Sequence, residues 1–377
     1  MQALSDNPIS FSEEQAMLLE SATEFCKKHS DSATVRARLA KQGDQQALED
    51  DRQLWREMTQ LGWSGLAVPE AFGGSGIGIG AAAAIAEPMG RRLVASPFIT
   101  TQMVIQALLA GATDQQQKTW LPKLAQGSAA TVAVVEGDGD WNLYAAQTRL
   151  VDHQLQGQKT LVGELYCCDL VLVTTGVDDD LAIVLLDRSV LGADRVHSDQ
   201  VLDETRRSYS IDLTGLRVDS GALITGASAQ AAITALEQTA WLLYSADACG
   251  GVSGVIDLVV DYLNTRTQFG HKIGSYQSLK HPTVDMLMGL ERARSHLYHA
   301  ATLLDAGAPA EVALRMAKAE STDAYTFAGD RAIQFHGGFG FTYECDAQMY
   351  LRRALWLQYQ YGDAPHHRAE LAHQLLA

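Results

Sequence analysis

The sequence has no uninterrupted apolar run of the ~18 residues needed to cross a bilayer; even Ala81 to Ala86 is closed off by Glu87, Arg91 and Arg92. No membrane span is therefore expected. The opening, Met1-Gln2-Ala3-Leu4-Ser5-Asp6, lacks a basic segment followed by an apolar one, so no secretory leader is read and the cytoplasm is the expected compartment. Cysteine is scarce and odd in number: Cys26, Cys167, Cys168, Cys249 and Cys345 include no CxxC pair, which argues against a disulfide framework and a thiolate zinc site. Positive charge is also short, with 29 Lys plus Arg against 45 Asp plus Glu and a net charge of −16. With no dense basic stripe, such a surface repels a phosphate backbone, and nucleic acid is excluded as a partner. What the sequence does have is 377 residues, 47% of them hydrophobic, enough for two or three domains with substantial cores.

Ser12 to about Gly127 reads as helical, with Met17, Leu18, Ala22 and Phe25 at helical spacing, interrupted from Leu61 to Gly80 by Pro69 and a cluster of glycines. From Ala129 the texture changes to short β-branched runs, Thr131–Val135, Gln154–Gln158, Leu170–Thr175, Leu181–Leu186 and Ser210–Val218, separated by Gly/Asp turns, which predict an antiparallel sheet. After Gly226 the chain is helical again, and Met286, Leu290, Ala293, Leu297, Ala300 and Leu304 form a bundle stripe. The expected organisation is an α+β multidomain chain: an N-terminal α-helical domain over 1–127, a central antiparallel β domain over 128–226 and a C-terminal four-helix bundle over 227–377.

Several clusters invite chemistry, each beside a plainer reading. Gly76-Ile77-Gly78-Ile79-Gly80 resembles a dinucleotide fingerprint but has no buried strand before it, so a loop entering a helix is preferred. Asp363, His366, His367 and His373 have metal-ligand chemistry, although adjacent histidines on a helix diverge by ~100° and a solvated terminal helix accounts for them. His296 and His299 share a helix face without a third ligand. Arg266-Thr267-Gln268-Phe269-Gly270, at the end of a long helix, suits either a clasp on a phosphorylated planar ligand or a helix terminus capped by Gly270. Gln334-Phe335-His336-Gly337-Gly338-Phe339-Gly340 permits close backbone approach by a ligand, or a turn between helices.

Taken together, these stretches resemble the acyl-CoA dehydrogenase family across nearly the whole chain. Phe11-Ser12-Glu13-Glu14-Gln15 looks like its opening helix, Val68-Pro69-Glu70-Ala71-Phe72-Gly73-Gly74 like its loop after the second helix, and Gln117 to Gly127 like the segment before its β domain. Arg266 to Gly270 and Gln334 to Gly340 match its two C-terminal cofactor signatures. The resemblance implies a tetramer with FAD near subunit interfaces, Arg266, Gln268 and Phe269 reaching a neighbour's pyrophosphate and adenosine, and Gln334, Gly337 and Gly338 contacting that same half. It also implies oxidation of acyl-CoA thioesters, with a Glu base and hydride transfer to flavin, and an electron-transfer flavoprotein as acceptor.

The departures are as informative. Counting from Arg352-Arg353-Ala354, the family's base position falls on Tyr361, and its alternative position falls near Ala240, flanked by Glu237 and Asp247. The Thr-Glu-Pro to Gly-Ser-Asp segment reads Val135-Glu136-Gly137-Asp138-Gly139-Asp140, and the flavin-packing Trp-Ile-Thr strand reads Thr160-Leu161-Val162-Gly163-Glu164, which would set acidic groups near bound phosphates. A kept interface signature beside a lost base resembles the small subunits of heteromeric (α2β2) bacterial acyl-CoA dehydrogenases, as does the ending Gly362-Asp363-Ala364-Pro365-His366-His367-Arg368. In those assemblies a large subunit carries base and flavin ring, and the substrates are CoA thioesters of steroid side chains, steroid ring fragments or dicarboxylic acids. A self-sufficient homotetramer using Asp363 or Glu237 as base and a non-catalytic scaffold are the alternatives.

Overall fold

The computed structural model describes residues 13–41, 45–137, 141–178 and 180–376. Phe11, Ser12, Asp138, Gly139 and Asp140 lie outside them. Helices come first: α1 (Glu13–His29), α2 (Ser32–Ala40), α3 (Gln45–Gln60), α4 (Ala83–Arg91), α5 (Phe98–Gly111) and α6 (Asp114–Ala125). Strands follow: β1 (Ala130–Ala133), β2 (Arg149–Val151), β3 (Gln154–Gln156), β4 (Gln158–Gly163), β5 (Leu170–Val177), β6 (Asp180–Asp187), β7 (Val196–Asp199), β8 (Ser208–Asp212) and β9 (Leu223–Thr225). The chain then runs through α7 (Gly226–Thr265), a hairpin of β10 (Thr267–Gln268) and β11 (His271–Lys272), α8 (Gln277–Asp305), α9 (Glu311–His336), α10 (Ala347–Tyr359) and α11 (Ala364–Leu376).

Two compact units share these elements, each built from separated stretches. The first takes residues 1–35, 80–94 and 241–377. In it α9 packs against α8, α10 and α11, while α1 packs on α4. The α8 stripe buries Met286, Leu290, Ala293, Leu297 and Ala300 as expected, and Leu304 is half-buried at its end. α4 and α7 meet backbone to backbone: a Cβ at Gly250 would lie 1.8 Å from the Glu87 carbonyl oxygen, and one at Gly90 2.0 Å from that of Asp247. Glycine is what permits this crossing. By length and composition α7 could cross a membrane, contrary to the expectation from uninterrupted runs, but 72% of its most apolar window is buried by the protein itself. Its middle, residues 239–255, is buried without a break, as befits a core helix, while both ends carry exposed polar residues.

The second unit takes residues 36–79 and 95–240. α6 begins with a capping box in which Thr113 and Gln116 satisfy each other's backbone amides, and the Gln116 amide nitrogen also donates to the Gly221 and Leu223 carbonyls. The β region differs from a single antiparallel sheet. β3, β2, β5, β6 and β9 form a mixed sheet in which β1 and β2 both run parallel to β5, and β4, β8 and β7 form a separate antiparallel sheet. β5 is buried along seven of its eight residues, which is why its run, Leu170 to Gly176, does not alternate. Of the Ser210–Val218 run, only the residues up to Asp212 are strand; Gly215, at φ +77°, turns the rest. Val162, Leu165, Val171, Val173, Val184 and Ile211 belong to the core between these layers.

Candidate functional site: the Arg266 hairpin and the Tyr361 turn

α7 ends at Thr265, and Lys272 donates from Nζ to the Thr265 carbonyl at 2.8 Å, placing a cation at the negative end of the helix. Thr267–Gln268 then pair with His271–Lys272. The turn residues Phe269 and Gly270 have φ of +52° and +79°, the type I′ pattern. Gly270 is thus a hairpin residue rather than the cap of α7. Phe269 holds a conformation that disfavours bulky side chains and still presents its ring to solvent, 90% exposed. Arg266 and Gln268 are exposed beside it.

α9 ends at His336, with Gly337 at φ +61° as its C-cap. A Cβ at Gly337 or Gly338 would meet nothing within 4 Å, whereas one at Gly340 would lie 2.4 Å from the Ile333 carbonyl oxygen. Gly340 therefore serves internal packing, while Gly337 and Gly338 leave open backbone. The Tyr262 and His336 rings stack at 4.1 Å, joining the last turns of α7 and α9. That contact links the helix end that leads to Arg266, Gln268 and Phe269 with the one that carries Gln334, Gly337 and Gly338.

Tyr361 lies between α10 and α11, buried, at φ +56°. Its carbonyl accepts from Trp241 Nε1 at 3.0 Å, and its ring stacks on Tyr244 at 5.9 Å, which meets Trp356 edge-on at 5.8 Å. The next carbonyl, Gly362, accepts from Lys318 Nζ at 2.9 Å. The Arg315 guanidinium lies 4.4 Å above the Trp241 ring, and His367 meets that ring edge-on at 5.4 Å. His367 is fully buried rather than solvated; burial and the nearby Lys318 and Arg315 cations push its imidazole down to about 2, so it stays neutral. Among the described residues no group of three or more His, Cys, Asp or Glu is placed to hold a metal, so the Asp363, His366, His367, His373 set does not converge.

The two carboxylates read as bases are already engaged. Asp363 accepts from the His366 amide at 2.9 Å, as an N-cap of α11. Glu237 accepts from the Tyr144 hydroxyl at 3.1 Å. They belong to different compact units. Asp247 is fully buried, facing Arg353.

In the β unit, the Glu136 carboxylate is engaged within the protein. Its carboxylate takes Lys159 Nζ at 2.8 Å and the Thr148 amide at 2.7 Å. Burial alone would raise this carboxyl, but these bonds outweigh it and hold it below its ordinary value of 4.5. A carboxylate depressed in the folded state stabilises above the unfolded value and ceases to as pH falls through the folded one. Glu136→Gln is expected to flatten the acid limb of the unfolding midpoint below about pH 4.5; an unchanged acid limb would remove Glu136 from that transition. β4 breaks register between Lys159 and Val162, with Leu161 at φ +56°. Its amide points at Asp199 Oδ2, 3.4 Å away, and Asp199 also accepts from Ser208 and Ser210. Glu164 follows at φ +54°, and burial pushes its carboxyl up to about 7 against the pull of Arg206.

An acyl-CoA dehydrogenase N-terminal domain model matches residues 12–128, and the corresponding C-terminal domain model matches 229–376. The chain belongs to the acyl-CoA dehydrogenase family. It is 29% identical over 349 residues to the acyl-CoA dehydrogenase IpdE2 of Mycobacterium tuberculosis, covering 91% of each chain. In three dimensions it resembles the ChsE4–ChsE5 complex of Mycobacterium tuberculosis (TM-score 0.85, 22% identity, 98% of this chain and 99% of that one). It also resembles a variant of the Tcur3481–Tcur3483 steroid ACAD (TM-score 0.81, 23% identity, 97% and 98%). These two likenesses show the fold. FAD is the cofactor of this acyl-CoA dehydrogenase, and an exposed Arg266 guanidinium and open Gly337–Gly338 backbone each suit a phosphorylated ligand.

Sequence reasoning missed Lys318 and Trp241. A signal for the first existed: Leu314, Lys318, Ser321, Tyr325, Ala328 and Ala332 recur at 4,3,4,3,4 spacing, and all are buried, so Lys318 occupies a core position of α9. Trp241 gave no such signal, because its partner is the carbonyl of a residue 120 positions away.

Proposed function

We propose that this acyl-CoA dehydrogenase chain is the small subunit of an α2β2 flavoenzyme, whose large subunit supplies the base and the flavin-ring site. The observation that carries this reading is Tyr361, which occupies the family's base position with its ring packed against Tyr244. A phenol so placed lacks the carboxylate that removes an α proton. Asp199, beside the Leu161 amide, supports it from the β unit, because that amide belongs to the strand the family lays against flavin. In this reading Arg266, Gln268 and Phe269 reach the pyrophosphate and adenosine of the partner's FAD, with Gln334, Gly337 and Gly338 lining the same half. The likeness to the ChsE4–ChsE5 complex and to a steroid ACAD favours a bulky, steroid-derived or dicarboxylic CoA thioester as substrate. An electron-transfer flavoprotein is the acceptor.

The test is the FAD-to-chain ratio of the purified protein, alone and co-expressed with the product of the adjacent gene. A colourless chain that yields about one FAD per two chains on co-expression is the expected result, and Arg266→Ala should strip that FAD while leaving the assembly intact. One FAD per chain in the protein alone would overturn the reading and direct attention to Asp363 and Glu237.

A further inference from the structure

We propose that Lys318 is a positioning residue: its buried ammonium gathers the carbonyls of Leu357, Gln358 and Gly362 into a clamp that sets the Tyr361–Gly362 turn, and loss of its proton releases that turn.

Lys318 Nζ lies 3.2 Å from the Leu357 oxygen, 3.4 Å from that of Gln358 and 2.9 Å from that of Gly362. Two of these carbonyls end α10, where the helix presents its negative pole, and the third follows a non-glycine residue in the left-handed region. An ammonium has three hydrogens for three acceptors, and a neutral amine has two. Deprotonation therefore removes both the charge that complements the helix end and one of the three bonds. The turn would then rest on its other contacts, among them Trp241 on the Tyr361 carbonyl, His367 on the Tyr361 backbone and the Tyr361 ring on Tyr244.

The groups facing Lys318 set when this happens. Asp363, before α11, and Asp323, on α9, favour the charged form. Arg315, one turn earlier on α9, is a cation in the same cluster, and His367, on α11, is neutral throughout the physiological range. Desolvation outweighs the two carboxylates and brings the lysine from 10.5 down to about 7, so the proton leaves near neutrality.

The sign separates a local from a global effect. Between about pH 7 and 10.5 the unfolded chain binds more protons at this lysine than the folded one, so its contribution to global stability rises with pH while the clamp loosens. A buried lysine without the clamp would share the global rise but not the local loosening, which requires that Lys318 stay buried when the turn opens. The experiment is hydrogen exchange by mass spectrometry on the purified full chain from pH 6 to 9, corrected for intrinsic rates, following the peptide that spans 357–363. In the wild type, protection of that peptide is expected to fall about tenfold with a midpoint near neutral pH. In Lys318→Met it should be low at every pH, and in Lys318→Arg, which keeps its charge, the step should vanish. A flat profile in the wild type would overturn the proposal even if neither variant folds, and so would a step that persists in Lys318→Met.

Discussion

Arg353→Leu is expected to destabilise the protein by about 3–5 kcal/mol, seen as a large fall in the denaturant midpoint with little change in slope. Arg353 and Asp247 are both fully inaccessible, with one guanidinium nitrogen 3.3 and 3.4 Å from the two carboxylate oxygens and the other 3.4 Å from the Leu93 carbonyl. Leucine fills much of the volume but leaves the carboxylate without its counter-charge, and desolvating a lone ion costs more than the pair itself contributes. The double variant Asp247→Asn, Arg353→Leu should recover a substantial part of the loss. A single-variant cost below about 1 kcal/mol would show that the carboxylate finds other compensation.

Gly250→Ala is expected to exceed the usual cost of overpacking, about 1–3 kcal/mol, because the added carbon meets the backbone of α4 rather than a side chain that can rotate away. The contacts would be 1.8 Å to the Glu87 oxygen and 2.7 Å to the Arg91 nitrogen. Relief requires the two helices to separate, and Glu87 also receives Arg294 and Tyr298, so the separation would strain that cluster too. Loss of soluble protein, or a thermal midpoint many degrees lower, is the outcome to look for. Gly338→Ala is the natural control, since nothing lies within 4 Å of its Cβ position; a shift no larger than about 0.5 kcal/mol is expected there. Equal costs at the two sites would show that α4 and α7 yield more easily than their contact distances imply.

Much of the fold was legible because periodicity reports burial. The α8 stripe at 4,3,4,3,4 spacing is the buried face, and the change of texture near Ala129 coincides with the first strand. Strand direction was not legible: β1 and β2 run parallel to β5, and nothing in the alternation of a three- or four-residue run encodes the sense of its neighbour. At the candidate site, the two C-terminal signatures were readable as motifs, and the structure joins them through Tyr262 and His336, residues that neither motif singles out as a pair. His367 shows the limit most clearly. Its place in a short polar helix suggested solvent, yet Trp241, a hundred and more residues earlier, covers it. Contacts at such separation leave no local pattern.

The Phe269 turn carries a lesson for engineering. A type I′ position is most comfortable with glycine or asparagine, and a ring held in solvent contributes no burial. Screening a library of this protein for heat resistance alone would thus reward replacement of Phe269 and erode whatever recognition its ring performs. If Phe269 reaches the partner's FAD as proposed, stability and assembly pull this one residue in opposite directions, and a useful library needs a second selection, for flavin retained on co-expression, applied in the same round.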